Sequence, residues 1–150
     1  MEKNVFDVYS ADELKDMKKT KMLENLEKIT NKNIFDLNTT KKYKQLIMNC
    51  KTIDELNVVE KEMTESKNLQ IRKKIFLNYV IDYHENHMIT KTTKDICINT
   101  MLNVMTLEEL EQIEVQLESI IRDDSKRIIS EYEELRKKYI VEDIITKKNK

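Results

Sequence analysis

Apolar residues recur along this chain at spacings of three and four, which is the period of an amphipathic α-helix. The longest such series follows Thr106 and comprises Leu110, Ile113, Leu117, Ile121, Ile128, Tyr132, Leu135 and Tyr139. Because residues three and four apart share one face of a helix, the series predicts a continuous apolar face. The pattern therefore predicts an all-α protein.

Three helix starts are marked by capping boxes, in which a Ser or Thr is followed three residues later by Glu. Each box leads directly into a leucine, and the three segments are Ser10–Leu14, Thr52–Leu56 and Thr106–Leu110. In such a box the hydroxyl accepts a hydrogen bond from the Glu backbone N–H, and the Glu side chain reaches back toward the cap. We therefore expect an amphipathic helix to begin at each of them.

Together the starts and periodicities predict a bundle of six or seven helices in one domain, residues 1–150. Asn in the segment 31–33 is expected to end the first helix in a left-handed conformation. A break is expected at 66–68, and the segment after Thr106 is either one long helix or two helices separated at 123–125. The expected helices cover about 11–30, 40–50, 53–66, 69–86, 93–104 and 106–145.

The chain also resembles itself when Thr52 is aligned with Thr106, which is an offset of 54. Segment 52–56 then matches 106–110, and after a one-residue gap 73–79 matches 126–132. A second similarity, at an offset of 29, pairs 4–8 with 33–37. These matches predict a tandem duplication of a three-helix unit, with repeats at about 39–87 and 93–140; chance similarity between lysine-rich helices is the alternative.

Glycine and proline are both absent from the 150 residues. Glycine-rich phosphate loops, dinucleotide-binding fingerprints, nucleophile elbows and EF-hand loops all need Gly, so none is expected in its usual form. We therefore expect a protein that is not an enzyme and has no cofactor.

The two cysteines, Cys50 and Cys97, lie far apart, and we expect them to pack as reduced, small hydrophobic side chains. No leader-like apolar segment and no apolar run of transmembrane length is present. These features predict an intracellular, cytoplasmic protein that is not secreted and has no membrane partner. Abundant Lys, Ile and Asn, which share A/T-rich codons, favour a viral or phage source, in which case the location is the host cytoplasm.

The two histidines are spaced three residues apart, at His84 and His87. This spacing places both on one helical face, where they are weak candidates for metal ligands. The spacing is not the i, i+4 of the zinc helix of metalloproteases. We expect an amphipathic pair that closes a helix rather than a metal site.

The charges balance to a net −1 overall, but residues 1–51 hold 11 basic and 8 acidic side chains. An acidic helix at 107–121 can meet a basic surface within the bundle or between copies. The lysines also suggest an alternative function, a nucleic-acid-associated protein that contacts phosphates. The residues concerned are Lys15, Lys18, Lys19, Lys41, Lys42 and Lys44.

Amphipathic helices without a catalytic constellation favour a protein–protein interaction or structural assembly module. Its partner is another protein or a second copy of the chain. Exposed aromatic residues are the expected contacts, namely Phe6, Phe35 and Tyr139. For Phe6 and Phe35, packing that fixes the entry of the following helix is the alternative role.

Overall fold

The computed structural model describes residues 9–148, and within this range the chain forms five α-helices and no strand. The fold is therefore all-α, as the sequence predicts, with five helices in place of the expected six or seven. We label the helices α1 (Ala11–Asn31), α2 (Leu37–Asn49), α3 (Ile53–Glu85), α4 (Lys91–Leu102) and α5 (Leu107–Lys148).

The capping boxes begin helices as predicted. The hydroxyls of Ser10, Thr52 and Thr106 accept hydrogen bonds from the backbone N–H groups three residues later, at 3.2, 3.2 and 3.1 Å. In the second and third boxes the Glu carboxylate accepts from the residue before the cap. These contacts occupy N–H groups that have no partner within the helix.

Two predicted boundaries are different in the structure. The expected break at 66–68 is absent, because α3 runs without interruption from Ile53 to Glu85. Met63 and Leu69 are buried on either side of this segment, so tertiary packing holds it helical despite its polar residues. The start of α4 lies at Lys91, with Thr90 as its N-cap, two residues earlier than predicted.

The chain divides into two compact units, the first ending at Arg72 and the second beginning at Lys73. The first unit contains α1, α2 and the amino-terminal part of α3. Its core is a cluster of apolar side chains from all three helices: Met22, Leu26, Ile29, Phe35, Tyr43, Ile47, Cys50, Leu56, Val59 and Met63.

The second unit contains the rest of α3, α4 and α5, and α4 packs on α5. Its buried apolar residues come from all three helices and their connections: Phe76, Val80, Ile89, Cys97, Met101, Val104, Leu110, Leu117 and Ile121. Helix α5 is one continuous helix, so the single-helix alternative for residues 106–145 is confirmed.

Local features recur between the two units at the constant offset that relates Thr52 to Thr106. The caps Asp36 and Thr90 begin the two short helices, and the caps Thr52 and Thr106 begin the helices that follow. Buried positions recur at the same offset, in the pairs Met22 and Phe76, Leu26 and Val80, Phe35 and Ile89, Tyr43 and Cys97, Ile47 and Met101, Cys50 and Val104, Leu56 and Leu110, and Met63 and Leu117.

This offset requires no gap. The aligned pair 73–79 and 126–132 is not equivalent in burial, because Phe76 is buried whereas its match Ile129 is 44% exposed. The one-residue gap expected from the sequence is therefore wrong.

Two non-glycine residues in the described part of the chain adopt left-handed backbone conformations, Asn33 with φ 59° and His87 with φ 60°. They follow the ends of α1 and α3 and are again separated by the repeat offset. The predicted left-handed exit from the first helix is thus confirmed at Asn33. Asn tolerates this conformation better than most residues, and His87 takes the same place in the second unit.

None of the helices within residues 9–148 has the combined length and apolar character that a membrane crossing needs.

Candidate functional site

The carboxyl-terminal half of α5 is exposed along its whole length. Every residue from 129 to 148 is exposed, although the helix continues to Lys148. At 1.5 Å per residue this segment is about 30 Å long. An isolated helix of that length is marginal in water, so an exposed apolar face on it is a candidate binding surface.

Four apolar residues form a row on this segment, which we call the α5 stripe: Ile128, Tyr132, Leu135 and Tyr139. Their spacings of four, three and four place them on one helical face. Ile128 is half-buried, whereas Tyr132, Leu135 and Tyr139 are 66%, 52% and 66% exposed.

The α5 stripe continues a face that is already buried within the second unit. Leu117, Ile121 and Ser125 precede it at spacings of four and are all buried. The same face of one helix therefore packs against its own unit at one end and is uncovered at the other. Such an uncovered continuation of a core face is typical of a docking site for another helix.

Further exposed apolar residues widen this surface near its end. Ile140, Val141, Ile144 and Ile145 are each about half exposed, at 48%, 54%, 49% and 53%. Together with Tyr139 they make the region apolar around much of its circumference. A helix of that composition is ordinarily covered.

The remaining residues of the segment are charged and alternate in sign in short blocks. The blocks are Lys126 and Arg127, then Glu131, Glu133 and Glu134, then Arg136, Lys137 and Lys138, then Glu142 and Asp143. Ion pairs along the helix join Arg127 to Glu131 at 2.8 Å and Lys147 to Asp143 at 3.1 Å. These i, i+4 pairs support the helix where packing does not.

A cleft of about 410 Å³ lies where the α5 stripe begins. Tyr79 and Tyr83 of α3 form one wall, with ring centroids 4.5 Å apart, and residues of α5 form the other: Glu118, Ile121, Arg122, Ser125 and Lys126. A hydrogen bond with Tyr83, together with burial, raises the pKa of Tyr79 to about 12. Tyr79 is therefore a neutral, polar-tipped aromatic group at neutral pH.

Asp124 fixes the base of this segment to α4. Its carboxylate accepts from the Thr90 N–H at 2.8 Å and from Arg127 at 2.8 Å, and its side chain is 10% exposed. Burial alone raises the pKa of Asp124, but hydrogen bonds from Thr90, Arg127 and Thr93 outweigh it and bring the pKa to about 2. The contact holds the start of α4 against α5.

Of the three aromatic contacts predicted from the sequence, Tyr139 is exposed on the α5 stripe. Phe35 is 4% exposed and stacks on Tyr43 with a centroid distance of 5.4 Å. The expectation that Phe35 is an exposed contact is therefore wrong, because the residue before the α2 cap is buried under that helix. Phe6 lies outside the described residues.

The predicted basic residues of the first unit do not gather into one uncommitted surface. Lys18 pairs with Glu60 at 3.2 Å, Lys42 with Glu62 at 3.7 Å, and Lys19 donates to the Met48 carbonyl. Lys15 lies 3.8 Å from Asp12, while Lys41 and Lys44 are exposed. Several of the lysines are thus used within the unit.

His84 and His87 are separated by the end of α3. His84 lies in the last turn of the helix, and His87 lies beyond it in a left-handed conformation. Within residues 9–148 no group of three or more His, Cys, Asp and Glu side chains is placed to hold a metal ion. Cys50 and Cys97 are free and buried as predicted, and burial raises the pKa of both thiols.

Comparison with protein-family models, with curated proteins and with solved structures gave no match to this chain.

Proposed function

We propose that this protein is a non-enzymatic helical module that binds another protein chain through the α5 stripe. The observation that carries the proposal is the continuity of one helical face, buried at Leu117 and Ile121 and exposed from Tyr132 to Tyr139. Large exposed aromatic side chains beside aliphatic ones are the usual anchors of protein interfaces. The occupant is an amphipathic helix, since a straight helical row is complementary to another helix.

We also propose that the body of the protein arose by tandem duplication of a three-helix unit, with the Thr52-to-Thr106 offset as its period. The recurrence of caps, buried positions and left-handed residues at that one offset supports the duplication. The carboxyl-terminal half of α5 departs from the repeat. Ser130 and Glu134, which stand one period after the buried Phe76 and Val80, are polar and exposed.

This departure has a functional meaning. The segment lacks the core positions that would seat another repeat, and it carries its apolar row on a different face. We therefore assign the segment to an interaction of its own and retain a viral or phage source and an intracellular, cytoplasmic location as proposals. Nucleic-acid binding is not carried forward, because Lys18, Lys19 and Lys42 already have partners in the first unit.

The proposal can be tested by site-specific photo-cross-linking in the intact protein. A photoreactive benzoylphenylalanine placed at Leu135 lies in the middle of the α5 stripe. The matched control position is Val115, which is 69% exposed on the same helix but outside the row. We expect a covalent protein adduct from position 135 and none from position 115 when the protein is irradiated in cells.

Mass spectrometry then identifies the adduct. An adduct with any protein at position 135 alone supports the stripe as a binding surface. Equal adducts at both positions, or none at position 135, would show that the stripe is not the binding surface.

A further inference from the structure

We propose that the occupant of the α5 stripe is the same segment of a second copy, running antiparallel, so that the protein is a homodimer. This inference rests on the proposed function and names its partner. It is carried by three properties of the segment: the sizes of the side chains in the row, the order of its charges, and the way the row ends.

The side chains in the row complement each other in the antiparallel direction. With Tyr132 opposite Leu135 of the second copy, Ile128 falls opposite Tyr139, and symmetry repeats both contacts. Each layer then holds one tyrosine and one smaller aliphatic side chain. Facing a large residue with a smaller one is how helical cores fill their interior without voids.

The charges also become complementary when the segment is reversed end to end. Reflection about the bond between Glu134 and Leu135 exchanges acidic and basic residues in four pairs: Lys126 with Asp143, Arg127 with Glu142, Glu131 with Lys138, and Glu133 with Arg136. Glu131 and Lys138 directly flank the row, so this pair lies nearest to the contact. Opposite charges beside an apolar row set the orientation of paired helices.

The parallel arrangement fits less well. It places Tyr132 opposite Tyr132 and Tyr139 opposite Tyr139, which doubles the bulk in two layers and leaves the others small. The next position of the row is Glu142, which would face its own copy and place two like charges in the seam. In the antiparallel arrangement Glu142 lies opposite Ser125, close to the basic Arg122 and Lys126 of the cleft.

The contact is also continuous with an existing interface. Because Ile121 and Ser125 belong to the same face and line the cleft beside Tyr79, the end of the second helix reaches that cleft. Ile144 and Ile145 are then brought toward the tyrosine wall. The apolar end of each helix is covered in this way by the base of the other.

Light scattering across a range of protein concentrations tests the proposal on the full chain. We expect the mass to rise from 18.0 kDa to twice that value. Leu135→Glu should remain a monomer throughout, whereas Val115→Glu, a matched charge on an exposed position of α5, should dimerise as the wild type does. Both positions are exposed, so the fold is retained, which circular dichroism checks.

Charge reversal identifies the partner and its direction. Glu131→Lys alone and Lys138→Glu alone each place like charges at both symmetric contacts and should weaken the dimer by about tenfold. The double variant restores both attractions. An equal mixture of the two single variants should also dimerise, because each supplies the charge that the other lacks.

In a parallel dimer Glu131 would instead lie near Arg136, and Lys138 near Asp143 of the other copy, so the double variant would be the weakest of the set. That result, or a wild type that stays at 18.0 kDa at every concentration, would overturn the proposal. The photo-cross-linking experiment distinguishes this failure from failure of the proposed function. An adduct at position 135 with a different protein would leave the stripe as a binding surface with another occupant.

Discussion

Lys19 and Lys73 are related by the repeat offset, and they donate hydrogen bonds to carbonyls that the same offset relates. The Lys19 Nζ lies 3.2 Å from the Met48 oxygen, and the Lys73 Nζ lies 3.3 Å from the Leu102 oxygen. Both acceptors lie at the ends of short helices, where carbonyls lack partners and the helix dipole favours a cation. One long-range contact is thus made twice.

The two lysines differ in burial, and this predicts different costs of removal. Lys73 is 8% exposed, and burial lowers its pKa, whereas Lys19 is only half-buried. Lys73→Ala should lower the free energy of unfolding by about 2 kcal/mol, and Lys19→Ala by about half as much. Urea unfolding followed by circular dichroism measures both.

Lys73→Met is the control for packing, because it keeps most of the aliphatic stem and removes the ammonium group. We expect its stability to lie between that of the wild type and that of Lys73→Ala. If the Met and Ala variants were equally unstable, the buried stem would contribute nothing.

The Asp124 carboxylate makes stability depend on acid. Its pKa in the folded protein is about 2, below the model value of 3.8 expected when unfolded. A lowered pKa contributes stability that is present above the unfolded pKa and is lost as the pH falls through the folded one. For this largely buried group the contribution is about 2 kcal/mol at neutral pH.

Asp124→Asn removes the charge at nearly constant shape. We expect the stability difference between wild type and variant to be constant at neutral pH and to shrink as the pH falls from about 4 to about 2. Urea unfolding at several pH values gives this difference. A difference that does not change over this interval would show that Asp124 is not the acid-sensitive group.

The first unit contains a natural variation on the Asp124 contact. Gln70 is the counterpart of Asp124 at the repeat offset, and it lines a cleft of about 310 Å³ together with Asp36 and Thr39. Asp36 caps α2 where Thr90 caps α4. The first unit therefore has its carboxylate on the cap, and the second has it on the long helix.

This exchange predicts a double-mutant coupling. Gln70→Asp should destabilise the first unit, since it adds a second carboxylate beside Asp36. The double variant with Asp36→Thr recreates the arrangement of the second unit and should be more stable than the sum of the two single changes predicts. Additive effects in urea unfolding would argue against an equivalent contact.

The left-handed conformation of His87 predicts a stabilising substitution. Glycine adopts φ 60° without the Cβ clash that other residues incur. His87→Gly should therefore raise the free energy of unfolding by about 0.5–1 kcal/mol. Asn33→Gly should gain less, because Asn already tolerates this region.

Asp82→Gly is the matched control, since Asp82 is an exposed helical residue of α3 close to the same helix end. There glycine should lower the stability, by up to about 1 kcal/mol. Thermal unfolding compares the three variants directly. Destabilisation by His87→Gly would show that the imidazole makes a contact more valuable than the relief of backbone strain.

Local signals in the sequence were sufficient for the fold class, for the three capping boxes and for the left-handed exit at Asn33. These features depend on neighbouring residues, so a short segment specifies them. The break expected at 66–68 is absent because burial of Met63 and Leu69 keeps α3 helical, and no local pattern indicates that packing.

The candidate site could be predicted only in part. The apolar period after Thr106 already included Tyr132, Leu135 and Tyr139, but periodicity alone does not distinguish a covered row from an exposed one. The contact between Asp124 and Thr90 spans 34 residues, and it becomes visible only when α4 and α5 are folded together. The repeat offset was the one signal that pointed toward it, through Gln70 and Asp36.

The unbroken course of α3 through Arg72 and Lys73 has a consequence for how this protein unfolds. One helix supplies both the last element of the first unit and the first element of the second. Melting that helix therefore removes part of both hydrophobic cores at once. The chain should behave as a short Ising array, in which nearest-neighbour coupling along the backbone makes two modest units lose structure in one cooperative transition.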